Sequence, residues 1–136
     1  MANLDKEKLK FLGQEMAIKF NLKLLVLFGS QATGRTHKNS DIDIGFLSDR
    51  DYGPGEVANM QVGIEQELGT GPVELVDLKS APSLLQRHVA TEGLLLVERE
   101  PGIFAQFKIT AIKKSMEARK LISLQHLSLV KFLAAR

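Results

Sequence analysis

Apolar and polar positions follow two different periods along the first third of the chain. From residue 5 to residue 20 apolar side chains recur every three or four positions, which predicts an amphipathic helix capped by Asn3 or Asp5. Residues 22–28 (LKLLVLF) form a short and nearly continuous apolar run, which is typical of a buried strand. Residues 41–47 (DIDIGFL) begin with strict alternation, which predicts a second strand. The chain therefore begins as helix, strand, polar connection and strand.

The same change of period repeats through the rest of the chain. Pro54 suits the first turn of a helix, and Gly69 closes the helically spaced apolar residues that follow it. The remaining predicted elements are a strand at 73–78, a helix from Pro82 to Gly93, a strand at 94–97 and a helix at about 101–134. Alternating helices and strands predict an α/β fold in one domain, residues 1–136, with a small mixed β-sheet and flanking helices.

The predicted C-terminal helix differs from the rest of the chain in charge and in apolar surface. Residues 103–136 hold seven Lys or Arg residues against one acid, Glu117, for a net charge of +6, whereas residues 1–102 carry −4. The second half of this helix is apolar around much of its circumference, which is more than so small a sheet needs to bury. These features fit a partner surface, and the charge alone fits a solvated helix face equally well.

Composition excludes several classes of function. The chain has no cysteine, and therefore no disulfide framework, thiolate metal site or cysteine nucleophile. Its first residues, MANLDKEKLK, lack the apolar run of a signal peptide, and no stretch approaches the roughly 18 apolar residues of a membrane span. We therefore expect a cytoplasmic protein with no membrane partner.

The second predicted strand carries two acids, Asp41 and Asp43. Because side chains alternate along a strand, both carboxylates share one face at a spacing of about 6.5 Å. Hard oxygen ligands in this arrangement suit Mg²⁺, with substrate phosphates and water completing its shell. Taken alone, the pair is more simply explained as a solvent-facing strand edge.

Gly29 and Ser30 follow the first strand and form a second candidate element. Glycine lets the backbone approach an anion closely, and exposed N–H groups can hold a phosphate. Residues 29–36 (GSQATGRT) also approximate the P-loop pattern G-x-x-x-x-G-K-[ST], but Arg35 stands at the lysine position and the segment leads into a strand instead of a long helix. A P-loop is therefore rejected, and an ordinary tight turn explains the glycine–serine pair if it is taken alone.

The two elements together are more specific than either alone. Gly29-Ser30, ten further residues and Asp41-Ile42-Asp43 spell GSx10DxD, with a hydrophobic strand before each half. Here the chain resembles the nucleotidyltransferase superfamily of DNA polymerase β, and specifically its small single-domain minimal nucleotidyltransferases (MNT type). The stretches GSQATGRTHKNSDIDIGF, ELGTGPVELVDLKSAPSLL and VATEGLLLVE are similar to those proteins in order and spacing, so the resemblance covers most of the chain.

The resemblance implies a polymerase-β-type nucleotidyltransferase fold and a reaction. A nucleotidyl group would be transferred from a nucleoside triphosphate to an acceptor hydroxyl, with release of pyrophosphate. The expected nucleoside triphosphate is ATP. Gly29 and Ser30 would hold the triphosphate, with Arg35 as a further phosphate contact. Asp41 and Asp43 would bind two Mg²⁺ ions.

The superfamily also uses a third carboxylate on a neighbouring strand. Glu74 stands at the matching position, where an aspartate is more usual, and is assigned to the metal site with Asp41 and Asp43. Glutamate is one methylene longer, which leaves the metal distances and the level of activity open. Asp77 lies an odd number of residues away and is expected to face the other side of the strand. The histidines share no spacing, and each is expected to be a surface or helix residue.

The resemblance further implies a protein partner. Minimal nucleotidyltransferases commonly occur beside a helical HEPN-domain protein, a ribonuclease toxin in several such pairs, and would act as antitoxin by adenylylating it within a hetero-oligomer. Two alternatives stay open: a transferase for a small-molecule acceptor, and a binding module that neutralises its partner stoichiometrically. Direct binding of nucleic acid is not expected, because the basic end lacks the interleaved aromatic residues of a single-strand platform.

Overall fold

The computed structural model of the protein describes residues 5–29, 32, 41–69 and 72–135. Helices and strands alternate along these residues, as the sequence predicts. The helices are α1 (Lys6–Lys19), α2 (Pro54–Leu68), α3 (Ser83–Glu92) and α4 (Ile103–Ala134). The strands are β1 (Leu22–Phe28), β2 (Ile42–Ser48), β3 (Val73–Asp77) and β4 (Leu94–Glu98).

The four described strands form one mixed sheet in the order β3-β2-β1-β4. Strand β1 pairs antiparallel with both β2 and β4, and β2 pairs parallel with β3. Two parallel strands cannot be joined by a tight turn, and α2 supplies the crossover between β2 and β3. The predicted α/β fold, a small mixed sheet with flanking helices, is confirmed.

The ends of the elements follow local capping chemistry. Asp5 caps α1, because its carboxylate accepts hydrogen bonds of 3.1 Å from two N–H groups of the first turn. Asn21, just after α1, adopts the left-handed conformation with φ 55°, as Gly69 does after α2. Strand β2 begins and ends one residue later than predicted, so that Asp41 precedes the strand and Ser48 ends it.

The alternation of side chains divides the apolar residues of the sheet between two helical layers. The layer with α1 and α2 packs on the face that carries Leu25, Leu27, Ile44 and Phe46. The layer with α3 and α4 packs on the face that carries Leu24, Val26, Phe28 and Val76. Because β1 is buried on both faces, it needs an apolar residue at nearly every position, which explains the run LKLLVLF.

Only the first part of α4 packs on this core. Its buried residues follow one another at helical spacing: Phe104, Phe107, Ala111 and Ser115. From residue 116 to residue 135 the side chains are exposed, apart from the partly buried Ala118. None of the helices in the described part of the chain has the length and apolar character needed to cross a membrane.

Gly45, in the middle of β2, is packed too tightly to accept a methyl group. A Cβ built there would lie 2.6 Å from Cδ2 and 2.8 Å from Cγ of the fully buried Leu78. We expect Gly45→Ala to lower the free energy of unfolding by about 1–3 kcal/mol through overpacking, measured by urea denaturation.

Gly63→Ala is the matched control for this prediction. A Cβ at Gly63, in α2, would meet only Met16 Cε, at 3.6 Å. Alanine is the better helix former, so this variant should keep or raise stability by up to about 1 kcal/mol. Similar losses of stability in both variants would show that packing against Leu78 is not the cause.

Candidate active site

Strand β2 places one of its acids in the middle of three neighbouring strands. Asp43 is the Cα partner of Phe28 on β1 and of Glu74 on β3. Neighbouring strands lie about 4.8 Å apart and paired residues point to the same face, so these three side chains form a row. Asp41 lies just before β2 and is exposed. The register therefore brings the carboxylates of Asp43 and Glu74 next to each other.

This row lies on the face that packs against α3 and α4. Phe28 belongs to the apolar cluster of that face, as does Val76, which is two residues after Glu74. Asp77 alternates onto the opposite face, where its carboxylate accepts a 3.0 Å hydrogen bond from the Lys79 N–H. Of the two acids on β3, Glu74 is the one beside Asp43.

The residue after β1 approaches the Asp43 carboxylate closely. Gly29 has a φ of 75°, and a Cβ built on it would lie 2.4 Å from Oδ2 and 3.3 Å from Cγ of Asp43. Any other residue would be strained and would displace the carboxylate. The resemblance implies that Gly29 holds a phosphate, which stays a prediction; in the structure Gly29 lies against the carboxylate of Asp43. Ser30 and Arg35, the other predicted phosphate contacts, lie outside the described residues.

The electrostatics of this cluster disfavour the ionised form of Asp43. Burial raises the pKa of Asp43, and the negative charges of Glu74 and Asp41 raise it further, while His88 opposes them. The negative charge of the cluster is therefore only partly compensated by positive charge on neighbouring side chains. A bound cation would relieve this excess.

His88 is a helix residue, as expected, and it also lies near the acids. It belongs to α3, and its ring meets the Phe28 ring edge to face, with centroids 6.4 Å apart and planes at 82°. Its Nδ1 lies 3.4 Å from a carboxylate oxygen of Glu92, one helical turn on. Since Phe28 is paired with Asp43, this contact puts an imidazole at the margin of the acidic cluster. Its position results from the packing of α3 on β1. No local sequence pattern predicts that packing.

The donor atoms of the cluster fit a divalent cation that prefers oxygen. Asp41, Asp43 and Glu74 offer carboxylate oxygens, the ligands that Mg²⁺ favours. Among the described residues, no group of three or more His, Cys, Asp or Glu side chains is arranged so that the group could hold a metal ion. An ion bound here would therefore take the rest of its shell from water and substrate phosphates, which is usual for Mg²⁺.

Comparison with known proteins places this arrangement in a family. Residues 10–102, which include the whole described sheet, match the family model described as polymerase beta, nucleotidyltransferase. A protein adenylyltransferase MntA from Shewanella oneidensis is 33% identical over 106 residues, a match that covers 74% of this chain and 73% of that protein.

Solved structures share the fold. A crystal structure of a toxin–antitoxin pair with the ATP analogue AMP-PNP has a TM-score of 0.73 and 26% identity, and the match covers 91% of this chain and 98% of that chain. A structure of a tri-AMPylated HEPN toxin in complex with MNT antitoxin from Shewanella oneidensis matches with a TM-score of 0.69 over 90% of this chain and 98% of that chain; at 21% identity it shows the fold alone. The chain belongs to the polymerase beta nucleotidyltransferase family, in which it is a relative of the protein adenylyltransferase MntA.

Proposed function

We propose that this chain is an Mg²⁺-dependent protein adenylyltransferase that transfers AMP from ATP to a hydroxyl of a HEPN-type toxin and so acts as its antitoxin. The observation that carries the proposal is the half-buried carboxylate of Asp43, held against Gly29 and beside Glu74. A carboxylate in an excess of negative charge favours a bound cation, and ATP with Mg²⁺ brings both the cation and the group to be transferred.

The turn after β1 would hold the triphosphate. Gly29 lies beside Asp43, so phosphates bound by Gly29 and Ser30 would be adjacent to the carboxylates, with Arg35 as a further contact. The acceptor hydroxyl oxygen would bond to the α-phosphorus and lose its proton, while the bond to the β-phosphate oxygen breaks and pyrophosphate leaves. The protein would contribute mainly orientation and charge stabilisation.

The three carboxylates would hold the metal after their side chains turn toward it. Asp41 and Asp43 are the primary candidates, and Glu74 approaches from the neighbouring strand. Two Mg²⁺ ions, when bound, would lower the pKa of the attacking hydroxyl and neutralise charge on the triphosphate. The side chains themselves would fix where those ions, and hence the phosphates, can lie.

The proposed acceptor is a HEPN-type toxin bound in a hetero-oligomer. The relative from Shewanella oneidensis is a protein adenylyltransferase, and the solved structures are toxin–antitoxin complexes, one with AMP-PNP and one with an AMPylated HEPN toxin. We extend these properties to this chain because it shares their fold over about nine tenths of its length and has a carboxylate cluster beside the glycine turn. A partner of this kind acts inside the cell, so the proposed location is the cytoplasm.

The role of Glu74 distinguishes two hypotheses: catalysis, and neutralisation of the partner by stoichiometric binding. The Glu74 side chain is exposed, whereas its neighbours Val73 and Leu75 are buried. It therefore has room to turn toward Asp43, although it is one methylene longer than aspartate. If Glu74 completes the metal site, the chain is an enzyme. If it does not, either Asp41 and Asp43 support transfer alone or the chain neutralises its partner by binding without transfer.

Incubating the chain with ATP, Mg²⁺ and the HEPN-type protein tests the transfer, with mass spectrometry of that protein as the readout. We expect a gain of one or more adenylyl groups and loss of toxin activity. Asp41→Ala and Asp43→Ala should each slow transfer by about 100-fold or more, because each removes a preorganised charge at the reacting phosphates. Asp77→Ala, on the opposite face of the sheet, is the control and should transfer at the wild-type rate.

The same assay decides the part played by Glu74. Glu74→Asp should retain transfer, whereas Glu74→Gln should lose most of it, because only the first keeps a negatively charged ligand. Equal rates for Glu74→Gln and wild type would remove Glu74 from the site. Neutralisation of the toxin by wild type and by the Asp41→Ala/Asp43→Ala double variant, without any mass gain, would establish stoichiometric binding instead.

The charge at Asp43 also predicts an effect on stability. In EDTA at neutral pH, Asp43→Asn should raise the melting temperature, because it removes a half-buried charge that Glu74 and Asp41 repel. The pKa of Asp43 is raised in the folded state, so its ionisation costs stability as the pH rises through that value. Toward a pH of about 4 and below, where the carboxyl is protonated in both states, the advantage of asparagine should vanish.

Thermal unfolding followed by circular dichroism, in EDTA and in Mg²⁺, checks this prediction. Mg²⁺ should raise the melting temperature of wild type more than that of Asp43→Asn, because the carboxylate binds the ion. Asp77→Asn should give no gain, since its carboxylate accepts the Lys79 N–H. A lower melting temperature for Asp43→Asn than for wild type in EDTA at neutral pH would contradict the proposed repulsion.

A further inference from the structure

The last turns of α4 form an exposed helix, here called the distal helix (residues 116–134). Apart from the partly buried Ala118, all of its side chains are exposed. Its large apolar side chains expose between 47% and 65% of their surface, among them Met116, Leu121, Ile122, Leu124, Leu129 and Leu133. So much apolar surface on one helix is unusual for a soluble domain and marks an interaction site.

The distal helix gains little stability from packing against the rest of the chain. At 1.5 Å per residue it extends about 30 Å, and in proteins most of the stability of a helix comes from the packing of its apolar face. A helix that is apolar on most sides is normally buried in a larger assembly. Its stability in solution is therefore expected to depend on a molecule that covers it.

The two lysines of the distal helix lie on one side of it, in line with Lys113 just before it, whereas Arg119 lies about 120° away from them. At 100° per residue, Lys113, Lys120 and Lys131 fall within about 20° of one another, whereas Ile122 and Leu129 lie on the opposite side. Most of the remaining circumference is apolar. A groove that covers the apolar arc would bring its rims next to the lysines, and acidic residues on those rims would be complementary.

A second copy of this chain is a poor occupant of this surface. Residues 103–136 hold seven Lys or Arg residues against Glu117, a net charge of +6. Two such helices packed together would each bring a net charge of +6 into one assembly, and this mutual repulsion disfavours the pair. A better occupant would be a different protein, with an apolar groove between helices and acidic residues along its rims.

The surface continues from the distal helix onto the body of the protein. A cavity of about 230 Å³ lies between α4 and the end of β3, where Phe107, Thr110 and Lys114 face Leu78 and Lys79. Lys114 is less than one turn before the distal helix. A partner seated on the helix could therefore place a neighbouring side chain in this cavity, and Lys114 favours an acidic one, whereas Lys79 is already paired with Asp51 at 2.6 Å.

The solved structures support a protein partner on this part of the chain. The match to the toxin–antitoxin complex with AMP-PNP covers 91% of this chain. The remaining fraction is too small to contain the whole distal helix, so at least part of that helix has a counterpart in a chain that forms such a complex.

We propose that the distal helix and the adjoining cavity are the surface on which the HEPN-type toxin docks. The proposal takes the identity of the partner from the proposed function, whereas the surface follows from the apolar, basic helix itself. The acids on the sheet then carry out the transfer, and the distal helix chooses the protein that supplies the acceptor hydroxyl.

Ile122→Gln/Leu129→Gln in the full chain tests the docking surface, since glutamine keeps helix propensity and removes apolar contact. The binding constant for the HEPN-type protein used in the transfer assay is measured by calorimetry. We expect affinity to fall by about 100-fold, as for central apolar residues of an interface. Ile18→Gln/Leu84→Gln, at apolar side chains of α1 and α3 that are 70% and 77% exposed, is the matched control and should bind as wild type does.

Kinetics separates docking from chemistry. At saturating partner, Ile122→Gln/Leu129→Gln should retain the wild-type kcat for adenylyl transfer while its KM for the partner rises in step with the loss of affinity. Lys120→Glu/Lys131→Glu should also weaken binding, and added salt should reduce the difference from wild type.

The outcomes distinguish this proposal from the proposed function. Unchanged affinity of Ile122→Gln/Leu129→Gln, with continued adenylyl transfer, would overturn the docking surface and leave the enzymatic function standing. Loss of affinity in that variant, with no transfer by wild type, would support the surface and overturn the enzymatic function. A wild-type dimer in sedimentation that the same substitutions convert to a monomer would show that a second copy covers the helix, and would overturn the proposal.

Discussion

The contact between Gly29 and the Asp43 carboxylate fixes the geometry of this protein's candidate site. Antiparallel pairing puts Phe28 opposite Asp43, so the chain that leaves β1 must pass beside that carboxylate. A side chain at position 29 would occupy the space of Oδ2, and the left-handed φ also favours glycine. Parallel pairing then adds Glu74 from the other side. The registers of three strands thus determine where the turn and two of the acids meet, before any ligand binds.

The sheet keeps these acids together against their mutual repulsion. Burial and the neighbouring charges raise the pKa of Asp43, so the ionised cluster costs stability. The two helical layers offset that cost, since the apolar residues of β1 are at most 6% exposed and contribute strongly to the core. Destabilising charge of this kind is common where a site must bind a cation, because the binding free energy includes relief of the repulsion. The apolar core and the acidic edge are therefore parts of one energetic arrangement.

Local periodicity made the fold and part of the site predictable. The run LKLLVLF and the alternation of Asp41 and Asp43 with isoleucines predict neighbouring strands with acids on one side. The alternation places the start of β2 at Asp41, one residue before its observed start at Ile42. The bounds of a strand depend on where its partner strand pairs with it, and not on the apolar pattern alone. Glu74 was assigned from a family resemblance, and only the register of β2 against β3 shows it beside Asp43. His88 could not be found, because α3 brings it to Phe28 from a distant part of the sequence.

The division of α4 at Ser115 bears on how so small a domain could select an acceptor. The guanidinium of Arg87 donates a 3.2 Å hydrogen bond to Ser115 Oγ, and Arg87 precedes His88, so the last buried turn of α4 is tied to the helix that borders the acids. Carboxylates and a glycine turn recognise phosphate and metal, which every nucleotidyl transfer shares, and they say nothing about the acceptor. A partner held on the distal helix would keep its hydroxyl at a high effective concentration near the nucleotide, which speeds transfer without any contact to the reacting atoms. A docking helix can therefore do what a separate acceptor-binding domain does in larger transferases.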